Sequence, residues 1–420
     1  MDLVKKGIEY LWLHLWKYKA NERQHRRLVR QLSGHAPVKV VFFAIDVALW
    51  RYQHLYELMA ADSRFQPVIV LSPCPGRKQR EQDAARLRRF FDSKGIPYID
   101  YHEGEQPYDV KSSVNPDIVF YPQPYEHLLC PEHDCRNFYD RLVCYASYYF
   151  PIGTQWAYNL HFSNRAWRMY YSLPYQIDLA QQKAFNHGRN ARMVGYANAD
   201  DFLQGQHLDA WKQMADGQPR KRLIWAPHFS IQSEQHMLPP RSNFLWMADL
   251  MVDIAKKYKD QLQIAFKPHP TLLSRLYEHP EWGRERTDAY YHQWEVMENT
   301  QLETGQYIDL FMTSDAMVHD SASFVAEYHY SQKPVMFVAR DLSAVTTDVS
   351  PVGQAAYDAC YMGQTESDIH HFVNSVVLGN DDPLKARREA FFHDHLLPPN
   401  HISVAQNILN DIIQSLHLSH

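Results

Sequence analysis

Along residues 3–16, Val4, Ile8, Leu11, Trp12, Leu15 and Trp16 recur at helical spacing, while Lys5, Lys6, Glu9 and Lys17 occupy other faces. Apolar positions three and four apart line one side of a helix, so the pattern predicts an amphipathic helix. From Val38 the pattern changes. Short β-branched or aromatic runs, VKVVFFAI (38–45), FQPVIVLS (65–72), PYID (97–100) and PDIVFYP (116–122), alternate with helical stretches such as Trp50 to Ala61 and Arg77 to Lys94. A second series follows the polar segment Gly205 to Arg220: RLIWAP (222–227), QIAFKPH (263–269), AMVHD (316–320) and PVMFVA (334–339). Strands alternating with helices predict βαβ units around a parallel sheet. Two doubly wound α/β domains in tandem account for both series, with a boundary near residues 203–220. The expected ranges are a basic helix over 1–33, domains over 34–204 and 215–385, and a helical tail over 386–420 that holds the last helix, Ser403 to Leu416.

Length and composition agree with that division. The chain has 420 residues, and single cores stop growing near roughly 250–300 residues. Its 45% hydrophobic and 22% charged shares are those of a compact globular protein. Charge is uneven: the first 30 residues carry eight Lys/Arg against three Asp/Glu, so they are +5 and the remainder is −10 for an overall −5. This basic end makes two roles available to the first helix. It packs on the first domain, or it lies on an anionic membrane with Trp at headgroup depth.

The five cysteines, Cys74, Cys130, Cys135, Cys144 and Cys360, are odd in number and irregularly spaced, which argues against a disulfide framework. Cys130 and Cys135 lie near His127 and His133, but no second ligand pair completes a zinc spacing, and no metal is expected. No stretch approaches the roughly 18 apolar residues that cross a bilayer, and the start lacks signal-peptide features. The expectation is a cytoplasmic protein held peripherally on the inner face of the membrane. No nucleic-acid partner is expected.

In open parallel sheets the ligand sits beyond the carboxyl ends of the strands. Glycine is scarce at 15 residues, and neither GxGxxG nor GxxxxGK[ST] follows any strand, so a phosphate must be held another way. The segment Asp315-Ala-Met-Val-His-Asp-Ser-Ala-Ser-Phe-Val-Ala-Glu327 reads as a strand running into a helix. Asp320, Ser321 and Ser323 fall at the helix start, where hydroxyls and free N–H groups receive phosphate oxygens; the bland alternative is an ordinary cap. Phe266-Lys-Pro-His-Pro270 ends another strand, and its two prolines hold His269 rigidly beside Lys267, an arrangement suited to an anionic leaving group. His228, after the preceding strand, is expected to reach the same crevice, and Arg241 in the following loop to pair with phosphate. In the first domain His161, in Tyr158-Asn-Leu-His161, is the candidate to take a proton from an acceptor hydroxyl.

These motifs also carry a likeness. From Trp225-Ala-Pro-His through Ser242-Asn-Phe-Leu-Trp246, Phe266-Lys-Pro-His-Pro270, Tyr307-Ile-Asp-Leu-Phe-Met-Thr-Ser-Asp315 and His319-Asp-Ser-Ala-Ser-Phe-Val-Ala-Glu-Tyr328 to Lys333-Pro-Val335, the chain resembles the CDP-glycerol glycerophosphotransferases of teichoic-acid and capsule synthesis. The resemblance implies a GT-B fold, two Rossmann-like domains facing across a cleft, with the donor mainly on the C-terminal one. It implies His269 as one of two histidines central to transfer, and the serines after Asp320 as donor-phosphate ligands. The second histidine of that family sits in a His-Gly-Thr-Pro-like motif. The nearest counterpart here is Asn159-Leu-His161, which lacks Gly-Thr-Pro.

The implied reaction is attack by an acceptor hydroxyl on the β-phosphate of CDP-glycerol or a related CDP-alcohol, with release of CMP and no tightly bound cofactor. The expected acceptor is lipid-linked or an oligosaccharide. Two other readings stay open: a GT-B glycosyltransferase using a nucleotide sugar, and a non-catalytic, membrane-recruited subunit of a polymer-assembly complex.

Overall fold

The computed structural model describes residues 2–75, 80–103, 106–153, 158–231, 242–305, 307–341 and 348–418, with side chains from Trp16 onward, Glu103 excepted. Arg241 lies outside the described residues. The chain forms two compact units: Met1–Tyr149 with Trp156–Asp200 and Leu397–His420, and Phe150–Gln155 with Asp201–Leu396.

The first unit is built on β1 (Val38–Ala44), β2 (Phe65–Leu71), β3 (Tyr98–Ile99), β6 (Ile118–Tyr121), β7 (Leu142–Ala146), β8 (Arg168–Tyr171) and β9 (Ala191–Met193), with a small hairpin of β4 (His102–Glu103) and β5 (Gln106–Pro107). The order β3-β2-β1-β6-β7-β8-β9 is parallel throughout. Its strands read as continuous apolar runs because helices cover both faces. On one face Phe42 stacks on Phe120 at 4.8 Å, and on the other Phe43 meets Tyr121 at 5.2 Å. The strands β7, β8 and β9 had no counterpart in the sequence reading. LVCYA, RMYY and ARM are short and interrupted by Arg or Cys, so little local pattern marks them.

A single helix, Asp2–Leu32, opens the chain. Its second half packs on the first unit: Tyr18, Asn21 and His25 are buried. Asn21 Nδ2 donates to the Tyr139 carbonyl at 2.8 Å, and Arg165 Nε donates to Asn21 Oδ1 at 2.7 Å. Trp16, by contrast, is 66% exposed. The last helix, Val404–Leu416, also belongs to this unit. Asp200 accepts from the N–H groups of Val404 and Ala405 at its start, and Asp411 accepts from Arg168 and Tyr170.

The second unit carries β10 (Lys221–Ala226), β11 (Leu262–Phe266), β12 (Thr300–Leu302), β13 (Ala316–His319), β14 (Val335–Val338) and β15 (Tyr361–Gly363), all parallel in the order β12-β11-β10-β13-β14-β15. Trp225, Phe266 and Trp294 pack at its centre with ring centroids 4.9–5.5 Å apart. The polar segment 205–220 belongs to this unit rather than forming a free connection. Trp211 buries itself, and Gln301 of β12 accepts from the Lys212 N–H at 2.7 Å while donating to the Ala210 carbonyl. Phe150–Gln155 joins the same unit by pairing with the chain near Val349. Among the described residues no helix is long and apolar enough to cross a membrane.

Candidate active site

Because the second sheet is parallel, the segments leaving β10, β11 and β13 emerge along one edge. Strand order reverses between β10 and β13, and ligands of open α/β sheets sit at such a reversal. The structure gathers His228, Lys267, His269, Asp320, Ser321 and Ser323 on these three segments.

His228 and His269 are in ring contact, with centroids 5.3 Å apart and planes at 62°, and Phe229 packs against both. The backbone fixes each ring. The His269 N–H donates to the Pro227 carbonyl at 3.0 Å, and Nδ1 accepts from the Thr271 N–H at 3.1 Å. His228 Nδ1 lies 2.9 Å from Ser230 Oγ. Burial, then the charge of Lys267, pushes the His269 pKa down to about 4. With its Nδ1 lone pair taken by Thr271, the neutral ring carries its hydrogen on Nε2. His269 is therefore a fixed neutral donor, not an imidazolium.

Lys267 is 7% exposed. Its Nζ donates to the Gly305 carbonyl at 3.2 Å and lies 5.5 Å from the Tyr307 ring centroid. Burial pulls its pKa down to about 8 against the opposing charge of Glu303. Lys267 thus anchors the loop after β12 as well as lending positive charge to the strand ends.

Asp320 is 3% exposed. Its Oδ1 accepts from the His228 N–H at 2.5 Å, and its Oδ2 from the Asn243 N–H at 2.5 Å and Nδ2 at 3.3 Å. Asn243 in turn donates to the Val338 carbonyl at 2.9 Å and accepts from Trp246 Nε1 at 2.9 Å. One carboxylate so ties the ends of β10 and β13 to the start of the helix Phe244–Lys257, and through Asn243 to the end of β14. Burial raises its pKa to about 6 despite those bonds. Both oxygens are occupied by protein donors, which makes Asp320 a positioning residue for His228. Asn243 stands in the Ser242–Trp246 run that carries the resemblance, but the sequence assigned it no role of its own.

The serines differ from ordinary caps. Ser323 stands at the N-cap of the helix Phe324–Glu327 but makes no side-chain cap bond. Ser321 is 9% exposed and donates its N–H to His319 Nδ1 at 3.2 Å. The helix is shorter than the sequence suggested. One α-turn passes into a 3-10 turn, Tyr328–Ser331, so the hydroxyls and loop N–H groups matter more here than a long helix dipole.

In the first unit, His161 begins the helix His161–Arg165, whose Phe162 packs on Tyr121 and Tyr145 near the carboxyl ends of β6 and β7. His161 Nδ1 donates to Glu126 Oε1 at 2.5 Å, and Tyr139 OH donates to the same oxygen at 2.8 Å. Burial works to raise the Glu126 pKa, but the bonds from His161 and Tyr139 prevail and hold it below the ordinary value. Glu126 stays ionised and selects the tautomer with a lone pair on Nε2, the arrangement of a base held by an orienting carboxylate. Glu126 escaped the sequence reading, although it follows the strand run PDIVFYP by only a few residues. Cys130 and Cys135 are free and buried, and both ring nitrogens of His133 are taken, by Ser72 and by the Tyr108 carbonyl.

With the geometry in hand, solved structures offer a comparison. A variant of the wall teichoic acid polymerase TagF superposes with a TM-score of 0.59 at 12% identity, covering 99% of this chain and 98% of that one. A UDP-N-acetylglucosamine 2-epimerase from Listeria monocytogenes gives 0.58 at 13% identity over 92% of this chain and 98% of its own. The S. aureus MnaA–UDP structure gives 0.55 at 12% identity, with the same coverage. The chain has the GT-B fold. No protein-family profile and no curated protein sequence matches it.

Proposed function

We propose that this GT-B protein transfers glycerol phosphate, or a related alditol phosphate, from a CDP-alcohol to a hydroxyl of a cell-surface glycan or polymer acceptor, releasing CMP. The observation that carries the reading is the backbone-fixed His228–His269 pair at 5.3 Å, set on strand ends that flank Ser321 and Ser323. Phosphoryl transfer asks for positioning and charge neutralisation more than covalent chemistry. The His269 imidazole N–H, serine hydroxyls and loop N–H groups supply donors for phosphate oxygens at the topological reversal. TagF, whose structure is also known after a CDPG soak, supports the same donor class.

In this reading the acceptor oxygen bonds to the β-phosphorus while the bond from that phosphorus to the bridging oxygen breaks, its electron pair leaving on CMP. His161 Nε2 receives the acceptor's proton, with Glu126 holding the ring. His269 Nε2–H donates to a phosphoryl oxygen that gains charge as the bond breaks. The basic helix presents the enzyme to a lipid-linked acceptor at the membrane.

The test is a panel of CDP-glycerol, CDP-ribitol, UDP-sugars and GDP-sugars, scored by thermal shift and nucleotide release. Stabilisation and CMP release with a CDP-alcohol are expected. A response confined to a nucleotide sugar overturns the donor assignment, and silence throughout overturns catalysis.

A further inference from the structure

A cavity lies in the first unit, against the first helix. It is about 480 Å³ in volume and is bounded by the helix Asp2–Leu32, by residues 164–168 and by residues 185–190. Small-molecule sites commonly span roughly 300–1,000 Å³. We propose that this cavity binds a phosphate-bearing ligand, a phosphate with an attached glycerol or sugar, presented either in solution or as a lipid headgroup.

Charge argues first. Lys19, Arg26, Arg168 and Arg189 line the cavity, and Glu22 is the one carboxylate among the described lining residues. Arg26 and Arg189 share it, at 2.5 and 3.3 Å. Arg168 leans on Asp411, which is itself shared with Arg192. Lys19 is exposed and makes no ion pair among the described residues. Two carboxylates thus serve four arginines, and positive charge is left over around the cavity. Anions are drawn to such a place because low-dielectric walls focus the field.

The second observation is His25. It lines the cavity and is 8% exposed, yet its Nε2 has no hydrogen-bond partner among the described residues. A buried polar nitrogen is ordinarily satisfied, so one left open at a cavity wall calls for a ligand. Burial first, then the charges of Arg168 and Arg165, drives its pKa down to about 4 against the opposing charge of Glu22. Tyr18 closes the upper wall, and its ring lies 5.7 Å from that of His161. A phosphate ester seated here is therefore a neighbour of the proposed proton acceptor, although the binding inference stands whether or not the transfer reading does.

The test uses the full chain, titrated calorimetrically with inorganic phosphate and with glycerol 3-phosphate, and sedimented with phosphatidylglycerol or pure phosphatidylcholine vesicles. The variants are His25→Leu, Arg189→Ala and Lys19→Ala, with Arg23→Ala as a control of equal charge on the same helix outside the cavity. Binding of a soluble phosphate ester, or of phosphatidylglycerol vesicles alone, is expected to weaken about tenfold in His25→Leu and Arg189→Ala and to change little in Arg23→Ala. His25→Leu is decisive because it removes both ring nitrogens but no charge, and Lys19→Ala and Arg189→Ala, both at exposed side chains, take its place if it does not fold. Soluble binding identifies a free ester, and vesicle-only binding that the cavity variants weaken and Arg23→Ala does not identifies a headgroup. Absence of binding to every probe, or equal losses in Arg23→Ala and the cavity variants, overturns the site.

Discussion

Glu126 Oε1 accepts a 2.5 Å hydrogen bond from His161 Nδ1 across 35 residues of sequence. A base oriented this way loses its preferred tautomer when the carboxylate becomes an amide. Glu126→Gln should lower turnover by on the order of ten- to a hundredfold while donor affinity in the second unit stays unchanged. Measuring kcat alongside the donor Kd checks this, and unaltered turnover would remove His161 from the chemistry.

His269→Ala should cut turnover by on the order of a hundredfold in a folded protein, as loss of a preorganised donor commonly does. His269→Gln keeps an N–H donor and should retain more. Because the folded ring titrates at about 4, the pH profile between 5 and 8 should show no step belonging to His269. Imidazole NMR across that range reads its protonation directly, and an imidazolium near pH 7 would sink the neutral-donor role.

Ser321→Ala and Ser323→Ala each remove a hydroxyl but leave the loop N–H groups, so they should weaken donor binding more than turnover. Neither side chain caps the helix Phe324–Glu327, and thermal stability should barely move. Nucleotide affinity equal to the parent's in both variants would place the phosphate elsewhere.

His319 and His329 are buried, and burial pushes their pKa values down to about 3 and about 4. Folded values below the unfolded one mean that the native state binds fewer protons. The stability they contribute is complete above the unfolded value of 6.5 and is lost as pH falls toward 4. For His329 the loss at pH 5 is about 2 kcal/mol. Urea midpoints of the second unit should drop between pH 7 and 5, and His329→Asn should flatten that slope. A slope unchanged by the substitution would show that the ring is protonated in the fold.

Removing residues 1–30 should lower the melting temperature, because Tyr18, Asn21 and His25 are buried in the first unit. Of the two roles open to the first helix, packing on the first domain holds for its second half. Removing only residues 1–15 takes Val4, Ile8, Leu11 and Trp12 and should abolish binding to anionic vesicles while leaving the melting point in place. Retained vesicle binding would refute the membrane role of that segment.

Much of the fold was legible because it is written in local pattern. The runs at 38–45, 65–72 and 222–227 became β1, β2 and β10 within one residue at either end, and the run at 263–269 became β11, which ends three residues sooner at Phe266. The strands of the two large sheets that went unseen, β7, β8, β9, β12 and β15, have three to five residues each. Their place in the sheet comes from neighbours rather than from periodicity. The same contrast runs through the candidate site. His269 stood out between Pro268 and Pro270, but Glu126 did not, since its meaning depends on a residue 35 positions away.

By itself the sequence determined two series of parallel strands, the strand ends on which His228, His269, Ser321 and Ser323 would stand, and a basic helix at the start. Spacing and composition act between residues a few positions apart, so the chain carries that information openly. Only the tertiary structure decided that Asp320 holds backbone N–H groups, that Lys267 anchors the Gly305 loop, that His269 is neutral and that Glu126 orients His161. Those outcomes depend on burial and on partners distant in the chain, because a side chain's charge and hydrogen bonds are set by what surrounds it once folded.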